Sequence, residues 1–223
     1  MTFTIDRDYL VHVLTDLVRI DSTNPSLSPD GQGEHKAALY VAGALTDLGI
    51  MPEMHDAAPG RPNVVGVWRG RGGGRSLLLN AHLDTVGVTG MRDPFGAQQH
   101  NGRLYGRGSQ DMKGSMAAML AATKALRDAG IRLNGDLLIT GVADEEYASI
   151  GMEALVRRYT ADAAIVTEPT DMQLCRAHRG FIWFDVATTG RAAHGSRYQD
   201  GIDANMHMGR FLVELEKLSQ ELI

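Results

Sequence analysis

The sequence predicts an α/β protein built in layers, and three observations predict it. Short apolar stretches at 62–69, 76–82, 136–142 and 161–166 read as strands. Helix-like segments stand before and between them, the alternation expected of a sheet covered by helices. After about Leu174 the character of the chain changes, which gives an expected first domain over 1–176 and the beginning of a second over 177–223.

Taken in order, residues 6–20 carry Leu10, Val13, Leu14, Leu17 and Val18 at amphipathic-helix spacing. His12 falls off that stripe and reads as solvated. Residues 21–33 are rich in Ser, Asn, Pro, Asp and Gly and read as a loop. A second helix is expected over 34–48, stopped by Gly49, with His35 on its surface. The glycine-rich stretch 70–75 invites a phosphate-cradle reading. No Gly-Lys-Ser/Thr follows it and a strand comes next, so it reads as a flexible connection. Asn101-Gly102 is a two-residue hairpin signal. The segment 113–129, rich in Ala and Met and closed by Gly130, is a helix; Met112, Met116 and Met119 read as core packing. A strand over 136–142, a short helix over 150–159 and a strand over 161–166 follow. Beyond them Phe181, Trp183, Phe184, Asp185, Val186 and Ala187 read as a longer strand, 193–196 as a polar loop and 203–222 as a helix.

Composition narrows the function. The 223 residues carry a formal net charge of -5, with 43% hydrophobic and 22% charged residues, an ordinary globular balance. No basic cluster marks a nucleic-acid or membrane-surface binder. Cys175 is the single cysteine, so no intramolecular disulfide forms and a reducing compartment fits. The N-terminal residues lack the apolar centre of a signal peptide, and no apolar run reaches membrane-span length. The expectation is a cytoplasmic protein.

Chemistry gathers at the strand ends. Leu77-Leu78-Leu79 leads into His82-Leu83-Asp84, an imidazole with a carboxylate two residues on, which suits a metal ligand and its orienting partner. Asp111 falls just before the helix at 113–129, where the macrodipole favours an ionised carboxylate. Glu145-Glu146 and Glu168 close two further strands. Ligands of α/β sheets bind at the carboxyl edge of the strands, so these groups are expected to converge. One imidazole with several carboxylates suits zinc, and also cobalt or manganese. The donors exceed what one ion needs, which points to two ions bridged by one carboxylate. Neighbouring residues of an extended segment point to opposite sides. One of Glu145 and Glu146 is therefore expected to ligate an ion, while the other faces the water to be activated, as a general base. Taken alone, 144–146 would read as a solvated acidic turn.

Together His82-Leu83-Asp84, Asp111-Met112-Lys113-Gly114, Asp144-Glu145-Glu146 and Glu168-Pro169 resemble the M20 metallopeptidase family, which includes acetylornithine deacetylase, succinyl-diaminopimelate desuccinylase, aminoacylase-1 and glutamate carboxypeptidase. The resemblance implies a zinc-peptidase-like α/β/α catalytic domain followed by the start of an α+β lid, or dimerisation, domain. It implies His82 and Glu168 as ligands of the first metal and Asp111 as the bridging carboxylate. Glu146 would be a ligand of the second metal, Glu145 the general base, and Asp84 the group orienting the other ring nitrogen of His82. Ala193-His194-Gly195-Ser196 is similar to the lid motif whose histidine polarises the scissile carbonyl, in some members from a partner subunit. The implied reaction is cleavage of the amide bond of an N-acyl amino acid or small peptide by metal-activated water. Two divalent ions are implied, zinc first, with a homodimer as the full-length form. Family members have a further histidine near the C-terminus that completes the second metal site. No residue here takes that role, so the chain is expected to be an N-terminal piece. The other reading is a metal-binding but catalytically silent chain. His55, His100, His178 and His207 match no motif and read as ordinary histidines.

Overall fold

The structure is a computed structural model that describes residues 3–177, 180, 182 and 184–222. It divides into two compact units, Met1–Leu174 and Cys175–Ile223.

The first unit begins with helix α1, Arg7–Arg19, capped by the Asp6 carboxylate, which accepts from the Tyr9 amide at 2.9 Å. Its stripe buries Val13, Leu17 and Val18. Helix α2, His35–Asp47, buries Ala37, Ala38, Val41 and Leu45 and ends before Gly49 at φ 68°, a conformation that favours glycine. Strands β1, Pro52–Ala58, and β2, Arg61–Trp68, form a hairpin. Strand β3 is Leu77–His82. A small hairpin, β4 Gln98–His100 and β5 Arg103–Tyr105, turns at Asn101 and Gly102, both at positive φ as a two-residue turn requires. Helix α3, Lys113–Asp128, strand β6, Leu137–Val142, helix α4, Ile150–Val156, and strand β7, Ala163–Val166, complete the unit.

The main sheet runs β1-β2-β6-β3-β7. β1, β2 and β6 pair antiparallel; β6, β3 and β7 pair parallel. Alternate residues of each strand face opposite layers. Val64, Ala81 and Ile139 pack with residues of α1, α2 and α3, including Leu17, Leu45 and Leu120. Val65, Leu78 and Leu138 pack on the other face with Leu155 of α4. The buried Met112, Met116 and Met119 belong to the first of these clusters. Because β3, β6 and β7 are parallel neighbours, their carboxyl ends at His82, Val142 and Val166 lie on one edge.

β1 was not expected from the sequence. It is an edge strand whose side chains are intermediate or exposed, so it pairs through its backbone and shows no apolar alternation. Pro52 stands at its first position, where an edge strand tolerates proline. Helix α4 is also shorter than expected, since beyond Val156 the amides of Arg158 and Tyr159 both turn back to the Leu155 carbonyl.

In the second unit, a 3-10 segment spans Gly195–Asp200 and helix α5 spans Ala204–Glu221. The Asp203 carboxylate caps α5 by accepting from the Asn205 amide at 2.8 Å and the Met206 amide at 3.2 Å. Among the described residues the strand expected around 181–187 is not found. Residues 184–190 form no ladder, and Phe181 and Trp183 lie outside the described residues. A strand exists only against a hydrogen-bonded neighbour. Among the described residues of this unit the one such pairing is an isolated bridge between Arg191 and Ile202.

Candidate metal centre

His82 ends β3 and is almost fully buried. Its amide donates to the Met112 sulfur at 3.1 Å, tying the strand end to the segment that begins α3. Its Nδ1 lies 2.9 Å from the Asp84 backbone carbonyl, which orients the ring and leaves Nε2 facing the sheet edge. There Asp111 Oδ1 lies at 3.0 Å, and Glu145 Oε2 and Glu168 Oε1 each lie at 3.8 Å. Two groups have ligand atoms within 4.8 Å of one another: His82, Asp111 and Glu146, and His82, Glu145 and Glu168. The sheet edge thus brings together all five residues named as ligands or base.

Two expectations are corrected. Residues 144–146 are not extended. Asp144 adopts φ 62°, and residues 145–148 form a turn that sends both glutamates toward the site from one side. Nor does the Asp84 carboxylate orient the His82 ring directly, since its Oδ1 is 3.6 Å from Nδ1 and the backbone carbonyl is nearer. The carboxylate is engaged elsewhere. Oδ1 accepts from the Glu145 amide at 3.0 Å, and Oδ2 from the Glu146 amide at 3.1 Å and the Asn24 side chain at 2.7 Å.

No sequence motif marks the residues around that carboxylate. Asn24, from the loop after α1, also donates to Asp144 Oδ1 at 3.0 Å. Glu34, just before α2, accepts from Arg61 Nε at 2.6 Å and from Arg61 Nη2, and receives the Asp144 amide at 3.1 Å. Arg61, the first residue of β2, also donates to Asp144 Oδ1 at 3.0 Å. No spacing links positions 24, 34, 61 and 144, so only the fold assembles them.

The electrostatics fit a cation. Burial opposes protonation of His82, but its hydrogen bond to the accepting Asp111 carboxylate and the charges of Asp84, Glu168 and Glu145 prevail and raise its pKa to about 9. The same bond to His82 holds Asp111 below the usual carboxylate range. Burial, then the neighbouring acids, pushes Glu146 and Glu168 each up to about 7. Acids crowded until they retain protons near neutrality form a donor set that a divalent ion would relieve. One imidazole nitrogen with carboxylate oxygens matches zinc, cobalt or manganese.

Two other described histidines have local partners. His194 belongs to the second unit, where it caps the 3-10 segment and its Nδ1 lies 2.9 Å from the Ser196 hydroxyl. His55 lies 2.8 Å from the Tyr159 hydroxyl and 2.8 Å from Arg158 Nη1, and so is a structural partner of the α4 end. His178 lies outside the described residues.

Comparison with known proteins gives this arrangement a context. The model of the family described as Peptidase family M20/M25/M40 matches residues 78–214. N-formyl-4-amino-5-aminomethyl-2-methylpyrimidine deformylase of Bacillus subtilis (strain 168) is 36% identical over 192 residues, 82% of this chain and 43% of the relative. Acetylornithine deacetylase of Salmonella typhimurium is 35% identical over 192 residues, 83% of this chain and 48% of the relative. The chain therefore spans about half the length of the curated relatives it matches. Human carnosine dipeptidase 1 shares the fold with a TM-score of 0.64 at 23% identity, over 73% of this chain and 38% of that one. Among the described residues no helix is long and apolar enough to cross a membrane.

Proposed function

The chain belongs to peptidase family M20/M25/M40, and on that premise we propose that it forms the metal-binding part of a cytoplasmic hydrolase of amide bonds. The observation that carries the reading is the convergence of Asp111, Glu145, Glu146 and Glu168 on the Nε2 edge of His82. The substrates would be N-acyl amino acids or small peptides. The names of the deformylase and the deacetylase support a small acyl group on nitrogen as the part removed.

His82 and Glu168 would hold the first of two divalent ions, Glu146 the second, and Asp111 would bridge them. When bound, such ions, zinc first and cobalt or manganese as alternatives, supply Lewis acidity toward the carbonyl and lower the pKa of water. Glu145, from its turn, would take the proton of the attacking water on its carboxylate and return it to the leaving amine. Asp84 would keep the Glu145–Glu146 turn in place by accepting hydrogen bonds from both backbone amides. His194 would donate to the developing oxyanion, from its own chain or from a partner in a homodimer.

The test is Glu145→Gln in the full-length protein, assayed on acetylornithine and a panel of other N-acyl amino acids with added zinc or cobalt. Metal content should persist and turnover should fall. Turnover near that of the parent would remove Glu145 from the role of base. One observation favours a second reading, a metal-binding chain without catalysis: both donor groups share His82, so among the described residues a single imidazole serves the site. Turnover by the 223-residue chain itself would exclude that reading.

A further inference from the structure

We propose that Arg61, Glu34 and Asn24 are positioning residues for the site, fixing where Glu145 and Glu146 stand without touching the donor cluster. The inference rests on the metal-centre reading for its functional consequence, though its geometry stands alone. Three carboxylates, Glu34, Asp84 and Asp144, are fully buried behind the site. Among the described residues one guanidinium and one carboxamide serve all three. Arg61 binds both oxygens of Glu34 and reaches Asp144 Oδ1. Asn24 donates one N–H to Asp84 Oδ2 and the other to Asp144 Oδ1, so it spaces the two aspartates.

The geometric consequence falls on Asp144. Its amide is held by Glu34 and its side chain by Arg61 and Asn24, while its backbone takes the left-handed conformation at φ 62°. That conformation lets the next two amides point together at one carboxylate, Asp84. The glutamates carried by those amides are the proposed base and the proposed ligand of the second ion. Networks of buried charge rarely add stability over a well-packed apolar core. They do hold a functional group to the narrow tolerance that its chemistry needs. The clamp draws its parts from a loop, a helix start and a strand start; the Arg61–Glu34 pair ties two of these together, and the remaining bonds reach Asp84 or Asp144.

The test uses Arg61→Met and Asn24→Ala in the 223-residue chain, with two readouts. The first is hydrogen exchange of the Glu145 and Glu146 amides without metal, against the β6 amides as internal reference. The second is zinc affinity measured where the variant is folded. In both variants the two glutamate amides should exchange faster relative to β6. Zinc affinity should fall about 10–100-fold, the range for losing an outer partner of a metal site. Parallel acceleration of all amides, with zinc affinity per folded chain unchanged, would overturn the proposal in favour of a purely structural role. Arg61→Met carries the larger folding risk, and Asn24→Ala leaves the ion pair intact; failure of both to fold would also overturn it. A parent chain that binds no zinc would count against the proposed function, while the exchange readout would still decide the positioning role.

Discussion

The two sides of the strand-end edge use the same kind of residue in opposite ways. On the solvent side, the side chains of Asp111, Glu145 and Glu168 remain 51%, 42% and 32% exposed around His82. On the inner side, Glu34 and Asp84 are 0% exposed and Asp144 is 2% exposed. The outer acids stand around His82 Nε2, from which Asp111 accepts a hydrogen bond. The inner acids accept from amides, Asn24 and Arg61. A carboxylate that is to bind an ion must keep oxygens open, whereas one that is to hold a backbone must have them filled. Solvent exposure therefore separates the outer acids, proposed as ligands and base, from the inner ones, which look alike in the sequence.

That contrast can be broken from either side. The largest effect should come from the outer side: Glu145→Gln in the full-length protein should lower kcat by about 10²–10⁴-fold, the usual worth of a general base. Thermal unfolding should hardly move. On the inner side, Asp84→Asn leaves one oxygen to receive two amides and turns an NH2 group toward them. It should cost about 1–3 kcal/mol in denaturant unfolding, the range for unsatisfied buried polar groups. Glu168→Gln should act oppositely in the metal-free chain, leaving its stability equal or higher, because it removes one of the crowded charges while weakening zinc binding.

How much of this was legible follows from where each residue sits. His82, Asp111, Glu145, Glu146 and Glu168 each follow a strand or precede a helix, so periodicity placed them at one edge, while their roles came from the joint motif and the resemblance it carries. Asp84 was visible as a partner of His82, but its actual bonds depend on the turn after β6, which local spacing does not reveal. Asn24, Glu34 and Arg61 were illegible. Asn24 looks like a loop former, Glu34 like a helix start and Arg61 like a solvated strand end, and only long-range closure buries them together. β1 was missed for a related reason, since an edge strand needs backbone pairing more than apolar side chains; the Pro59-Gly60 turn before β2 was its one local signal. In the second unit, apolar residues at 184 and 186 suggested a strand, but strand formation depends on a neighbour that composition does not supply.

A smaller effect, spread over pH, sharpens the same contrast. Glu146 and Glu168 have pKa values raised from 4.5 to about 7, and His82 from 6.5 to about 9. In each case the folded, metal-free chain keeps a proton that the unfolded chain has released. Stability should therefore fall as pH rises, through the two acids between about 4.5 and 7 and through His82 between about 6.5 and 9. The lowered pKa of Asp111 acts only below 3.8, outside this range. Melting curves in chelator from pH 5 to 9 check the trend. Saturating zinc should reverse it, because metal ligands must be deprotonated.

The central claim is that the outer cluster is a metal site organised by His82. It is tested most directly by titrating the 223-residue chain and its His82→Ala variant with zinc, followed by calorimetry. The account predicts saturable binding of at least one ion per chain, lost in the variant while the fold persists. Binding that is absent from the parent, or unchanged in His82→Ala, would contradict it.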